Sequence, residues 1–79
     1  MNEVVYVVFV EDRHTDVDVK IYRSFDNAAY FCLCYLAKMA VYYGLDRVLE
    51  SIEENADIEN FWTYSYEGDC IWITERELL

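Results

Sequence analysis

The chain has no proline, only two glycines, one histidine, and six basic residues set against sixteen acidic ones. Each shortage excludes something. Without proline, an internal repeat or a Gly/Ser-rich stretch there is no place for a linker, so residues 1–79 read as a single domain. The net charge of -10 repels phosphate and anionic lipid alike, which argues against direct binding to nucleic acid or a membrane surface. Cys32, Cys34 and Cys70 are odd in number and two of them lie in an apolar helical stretch, so no disulfide framework is indicated and a reduced, cytosolic setting is expected. The first apolar run, Val4 to Val10, is too short for a signal peptide, has acidic flanks and lacks a basic start.

What the chain does have is apolar bulk: 56% hydrophobic residues, among them two Trp, eight Tyr and four Phe. Such content excludes disorder. Surface scaling for this size gives about 63% of the unfolded chain's surface buried on folding, enough for a small independent core.

The organising stretch is Ala28 to Tyr43, AAYFCLCYLAKMAVYY, in which only Lys38 is polar. Asp26 is placed to cap this helix, with Phe25 packing on Tyr30 as a staple, and Gly44 stands where a left-handed stop belongs. Sixteen residues rise only about 24 Å, less than a bilayer requires. At 100° per residue, Ala29, Cys32, Leu33, Leu36, Ala40 and Tyr43 form one face, expected to lie on a sheet. Asn27, Phe31, Cys34, Tyr35, Lys38 and Tyr42 form the other. A second short helix covers part of this face, or Phe31, Tyr35 and Tyr42 are left for a partner or a second copy of the chain, making the protein a monomer or a homodimer.

Before that helix, Val4 to Val10 is apolar on both faces, as a central strand would be. Val17, Val19 and Ile21 then alternate with Asp18, Lys20 and Tyr22, the period of a strand with one buried face, across a loop of about five residues. After the helix, Leu45, Leu49, Ile52 and Ala56 recur as the apolar stripe of a second helix. Phe61 to Tyr66, with Trp62, Tyr64 and Tyr66 on one face, and Cys70 to Glu75 form a closing hairpin around Glu67-Gly68-Asp69. The expected fold is α+β in the order β-β-α-α-β-β: a four-stranded, mainly antiparallel sheet with the long helix, about Asp26 to Tyr43, on one face.

Three groups of residues invite a chemical reading. Asp12, His14 and Asp16 place an imidazole among carboxylates in the first hairpin loop, a donor set that suits zinc or manganese, although a solvated loop has the same composition. Cys32 and Cys34 point about 200° apart on a helix and read as packing residues, and nothing in the sequence brings a cysteine to His14 as a catalytic base. No enzyme and no cofactor is expected. The rings of Tyr64, Tyr66 and Trp72 could stack on RNA bases, but their charged neighbours are Glu67, Asp69, Glu75 and Glu77 where such domains carry bases. These rings divide between core and a protein-binding patch.

The most pointed feature is a carboxylate row. Asp46, Glu50, Glu53, Glu54 and Asp57 fall within about 100° of helical arc, roughly one charge per 4 Å, close to the 3.4 Å per charge along one DNA strand. Such a face fits a lysine- and arginine-lined groove meant for nucleic acid; the same face also simply keeps a small protein soluble.

With its hairpin, aromatic-rich helix, closing strand pair and acidic chain, the sequence resembles in type the small phage-encoded inhibitors called anti-CRISPR proteins. That group has no shared signature, so the resemblance carries no residue across. It implies a non-catalytic, stoichiometric inhibitor in the cytoplasm of a bacterial host. Its partner would be a basic nucleic-acid-binding protein such as a subunit of a CRISPR effector complex, blocked by occlusion or DNA mimicry. A weaker similarity, to small phage or bacterial domains with a stretch like Asp16-Val17-Asp18-Val19-Lys20 before a capped helix, implies the fold alone. The alternative is a small metal-binding or regulatory domain built on the Asp12/His14/Asp16 loop.

Overall fold

The computed structural model describes residues 3–65 and 67–78. Strand β1 (Glu3–Glu11) and β2 (Asp18–Tyr22) form a hairpin, helices α1 (Phe25–Tyr43) and α2 (Leu45–Glu54) follow, and β3 (Phe61–Thr63) and β4 (Cys70–Leu78) close the chain. The strands make one four-stranded sheet in the order β2-β1-β4-β3 with every neighbouring pair antiparallel. The α+β class and element order are as the sequence predicts.

The centre of the sheet is the pairing of β1 with β4, in register from Glu3 opposite Leu78 to Glu11 opposite Cys70. Side chains alternate across a strand, so Val8, Val10, Ile71 and Ile73 share one face. They join Ala28, Cys32 and Leu36 of α1, Val48 of α2 and Tyr64 in one buried cluster. Val5, Val7 and Cys70 are also buried, yet lie outside that cluster on the opposite face.

Several expected details are corrected. The cap of α1 is Ser24, whose hydroxyl accepts from the Asn27 N–H at 3.1 Å, and Asp26 sits inside the first turn. Ser24 wins because its extended backbone aims the hydroxyl at the open donors. Phe25 meets Tyr6 edge-on at 5.7 Å, and Tyr30 is exposed. The buried face of α1 keeps Ala29, Cys32, Leu36, Ala40 and Tyr43 of the expected set but spreads sideways from it. Phe31 packs near Tyr22 and Tyr35 near Tyr64, so these two rings belong to the core margin, while Leu33 is 66% exposed. Rings waiting on β2 and beyond β3 take the larger side chains and leave Leu33 outside. Tyr42 is exposed.

In β2 the alternation is real, but Val19 and Ile21 pair beside Phe9 and Val7 on the face away from the helices, and with Val17 they remain exposed. Helix α2 buries Val48 and Ser51 in place of Leu45 and Leu49, because Ser51 donates to Thr63 Oγ1 at 2.8 Å and ties the helix to β3. It ends at Glu54, so Ala56 and Asp57 fall beyond it. Strand β3 stops at Thr63; Tyr64 turns inward just after it, and Tyr66 lies outside the described residues. No helix among the described residues is long and apolar enough to cross a membrane.

Burial pushes the Cys32 thiol up from 9 to about 11, and burial together with the Glu11 carboxylate pushes Cys70 up to about 12. An acid whose folded-state pKa is raised releases its proton first from the unfolded chain, so its stabilising contribution is complete below pH 9 and is lost as pH rises through 11 to 12. Urea titrations across that window will show falling stability, with a shallower fall in Cys70→Ala.

Candidate functional site

At one end of the sheet, loop 12–17 meets loop 64–69 beneath the last turns of α1. The junction is held by carboxylates. The Arg13 N–H donates to Asp69 Oδ1 and the Ser65 hydroxyl to Asp69 Oδ2, each at 2.8 Å. Asp69, only 2% exposed, therefore ties the two loops together. The His14 N–H donates to Asp12 Oδ1 at 2.9 Å, and the Tyr64 hydroxyl to Asp12 Oδ2 at 2.8 Å. Because Tyr64 has given its single proton to Asp12, Tyr35, whose hydroxyl is 3.1 Å away, must be the donor to Tyr64. The result is a directed relay, Tyr35 to Tyr64 to Asp12, running from helix to loop.

The phenols in this relay keep their protons. Burial raises Tyr64 far above its usual 10, reinforced by its hydrogen bonds to Tyr35 and Asp12, and burial raises Tyr35 as well. They orient the Asp12 carboxylate. On the outer side, His14 Nε2 lies 3.2 Å from Glu67 Oε2, and the Arg13 guanidinium 4.0 Å from Glu67 Oε1. An open cleft of about 200 Å³ adjoins the cluster, lined by Asp12, His14, Thr15, Met39, Tyr42 and Tyr43.

Asp12, His14 and Asp69 each offer a ligand atom within 4.8 Å of the others. The sequence-predicted triad thus comes together in part. Asp16 is not in it, because the loop turns through the Thr15 N–H to Asp12 carbonyl bond at 3.1 Å; Asp69, from the distant hairpin, stands in its place. No signal in the sequence marks Asp69 as buried, since Glu67-Gly68-Asp69 has the composition of an ordinary exposed turn.

The thiols have other roles. Cys32 is packed in the core, Cys70 donates to Glu11 at 3.4 Å, and Cys34 is exposed on α1. Among the described residues no cysteine hydrogen-bonds to His14.

The carboxylate row lies elsewhere, on α2. Asp46, Glu50, Glu53 and Glu54 are exposed on the side opposite Val48 and Ser51, and Asp57 is exposed in the turn that follows. Leu45 and Leu49, left out of the core, lie along the flank of the row. No protein-family model, curated protein or solved structure matches the chain.

Tyr64→Phe leaves a carboxylate oxygen of Asp12 without its donor and strands the Tyr35 hydroxyl. A loss of about 1.5–3 kcal/mol in unfolding free energy is expected, the range for a hydrogen bond to a charged group. Tyr42→Ala, on the same cleft but exposed, should change stability by less than about 0.5 kcal/mol.

Proposed function

We propose that the chain is a non-catalytic inhibitor of the anti-CRISPR type. In this reading it works in the cytoplasm of a bacterial host and binds a basic nucleic-acid-binding protein, a subunit of a CRISPR effector complex, by occlusion or DNA mimicry. The row Asp46, Glu50, Glu53, Glu54 and Asp57 carries the contact, with Tyr42 on the neighbouring helix; Tyr35, now in the relay, drops out.

The observation that carries this reading is the placement of Glu53 and Glu54. They occupy the last turn of α2, which contains no basic residue. That is the negative end of the helix dipole, where each acid costs about 0.3–1 kcal/mol. Among the described residues neither is paired with a base. A face selected only for solubility has no reason to set its charges against the dipole, whereas a face that must present them to a basic groove does. Leu45 and Leu49 beside the row supply the apolar anchors that interfaces need within a polar rim.

The test is capture from bacterial lysate by the wild-type chain and by a Glu50→Gln/Glu53→Gln/Glu54→Gln variant. The wild type should retain a nucleic-acid-binding protein at 0.1 M salt, compete with that protein's nucleic acid, and release it toward 1 M, as the Debye length shrinks from about 10 Å to about 3 Å. The variant should lose the partner while gaining about 0.3–1 kcal/mol of stability for each terminal charge removed. Equal retention by both chains at low salt would end the proposal.

One observation favours a second reading, a divalent-metal site: the approach of Asp12, His14 and Asp69. Among the described residues each carboxylate oxygen there accepts one hydrogen bond, which leaves a second lone pair for an oxygen and imidazole set suited to zinc or manganese. Calorimetric titration with zinc would then give one site per chain, lost in His14→Ala and in Asp69→Asn and unchanged in Asp16→Asn. No heat in the wild type removes this reading.

A further inference from the structure

We propose that the sheet face turned away from the helices is an interface with a second copy of this chain, giving a two-fold dimer in four layers, helix, sheet, sheet, helix. The registers put Val7 and Phe9 of β1, Val19 and Ile21 of β2, Trp72 of β4 and Phe61 of β3 on this one face. Phe9 and Trp72 stack at 4.4 Å, and Ile21 is 67% exposed. Helix α1 packs on the opposite face and α2 reaches only α1 and β3.

Three observations point to a second copy. The first is charge. On a chain of net -10, the strands present only Glu3, Glu11 and Arg76 to this face, and Arg23, just past β2, pairs with Glu3 at 3.0 Å. The face is therefore neutral. The acids that oppose self-association lie on α1 at Asp26, on α2, in the loops, or on the helix side of the sheet at Asp18 of β2 and Glu75 and Glu77 of β4.

The second is the pattern of those charges. Glu11 stands at one end of β1, while Arg76 lies opposite Val5, toward the other end, and makes no ion pair among the described residues. A two-fold axis in the plane of the interface and perpendicular to the strands, at the level of Val8, runs the two sheets antiparallel with each strand over its own copy. Arg76 of each chain then lies over Cys70 of the other, one strand from Glu11, a lateral offset of about 4.8 Å that an arginine side chain spans. The pairing occurs twice per dimer, with Val7 and Phe9 on either side of the axis. An isologous contact of this type is closed and self-complementary.

The third is area. The chain exposes 5622 Å², against about 5,000 Å² for a compact monomer of its mass. Its radius of gyration is 13.1 Å, against about 11.6 Å for a compact 79-residue domain. The extents of 44 × 26 × 17 Å show the shape responsible, a thin slab. The surplus of about 600 Å² approaches the 800 Å² or so that each partner buries in a standard interface. Packing two sheets about 10 Å apart removes it.

Sedimentation equilibrium and light scattering on the full chain test this. Wild type should have twice the 9.5 kDa chain mass at micromolar concentration, and Ile21→Lys, a change at an exposed position, should have the chain mass with an unaltered circular-dichroism spectrum. Arg76→Glu should weaken the dimer at least tenfold, and Arg76→Glu combined with Glu11→Arg should restore it, which a nonspecific apolar association would not do. Tyr30→Lys, on the outer face of α1, should leave the mass unchanged. A wild-type chain that stays at 9.5 kDa at millimolar concentration overturns the proposal. So does a dimer broken by Tyr30→Lys and untouched by Ile21→Lys, or a charge reversal whose partner change gives no rescue.

Discussion

A sheet has two faces, and this chain has helices for only one. That constraint follows from β1, which is apolar on both sides and hydrogen-bonded on both edges, to β2 and to β4. Once β1 is central, Val8 and Val10 draw α1 onto their face, and Val5 and Val7 are buried on the other, outside the cluster the helices close. The thin shape, the excess surface and the position of every exposed valine and isoleucine on β2 are consequences of that imbalance.

Element types and their order were legible because each segment has a clear period: two for the strands, near 3.6 for the helices, with glycine after the long helix. Which face each element would bury was less so. Period-two alternation in β2 marks two faces without saying which meets the helices, and Val19 and Ile21 prove to be on the open one, with Val17 exposed just ahead of the strand. A helix apolar nearly all round has the same ambiguity in rotation. Phe31 and Tyr35 went inward because aromatic partners at Tyr22 and Tyr64 were there to meet them, information that sits 9 and 29 residues away. Ser51 shows the same effect in polar form, burying a hydroxyl where leucine would be expected because Thr63 and Asn55 form a hydrogen-bonded set with it.

The polar junction was half legible for a related reason. Asp12 and His14 are two residues apart in the chain and visibly a pair, but their third companion comes from 55 residues beyond His14, and only the β1–β4 register brings it there. Asp69 and Tyr64 fix the ends of two hairpins against each other, so the cleft beside them has one wall of carboxylate and imidazole and another of methionine and tyrosine. The carboxylate row is separate from this junction. Asp12 and Asp69 tie loops together, while the acids of α2 stand exposed on the far side of their helix.

Gly44 joins these two economies. It ends α1, donating its N–H to the Ala40 carbonyl at 2.9 Å, and begins α2, accepting from the Val48 N–H at 3.2 Å. Its φ of +101° suits glycine, while the space around it is open. No spacer separates the two helices, so α2 leaves α1 at the angle that the torsions of one residue give it. That angle brings Val48 into the core and Ser51 against Thr63, so the direction in which the α2 carboxylates face is fixed at both ends: a side chain at residue 44 that shifted the hinge would have to pull Val48 and Ser51 out of their places before it could turn the acids.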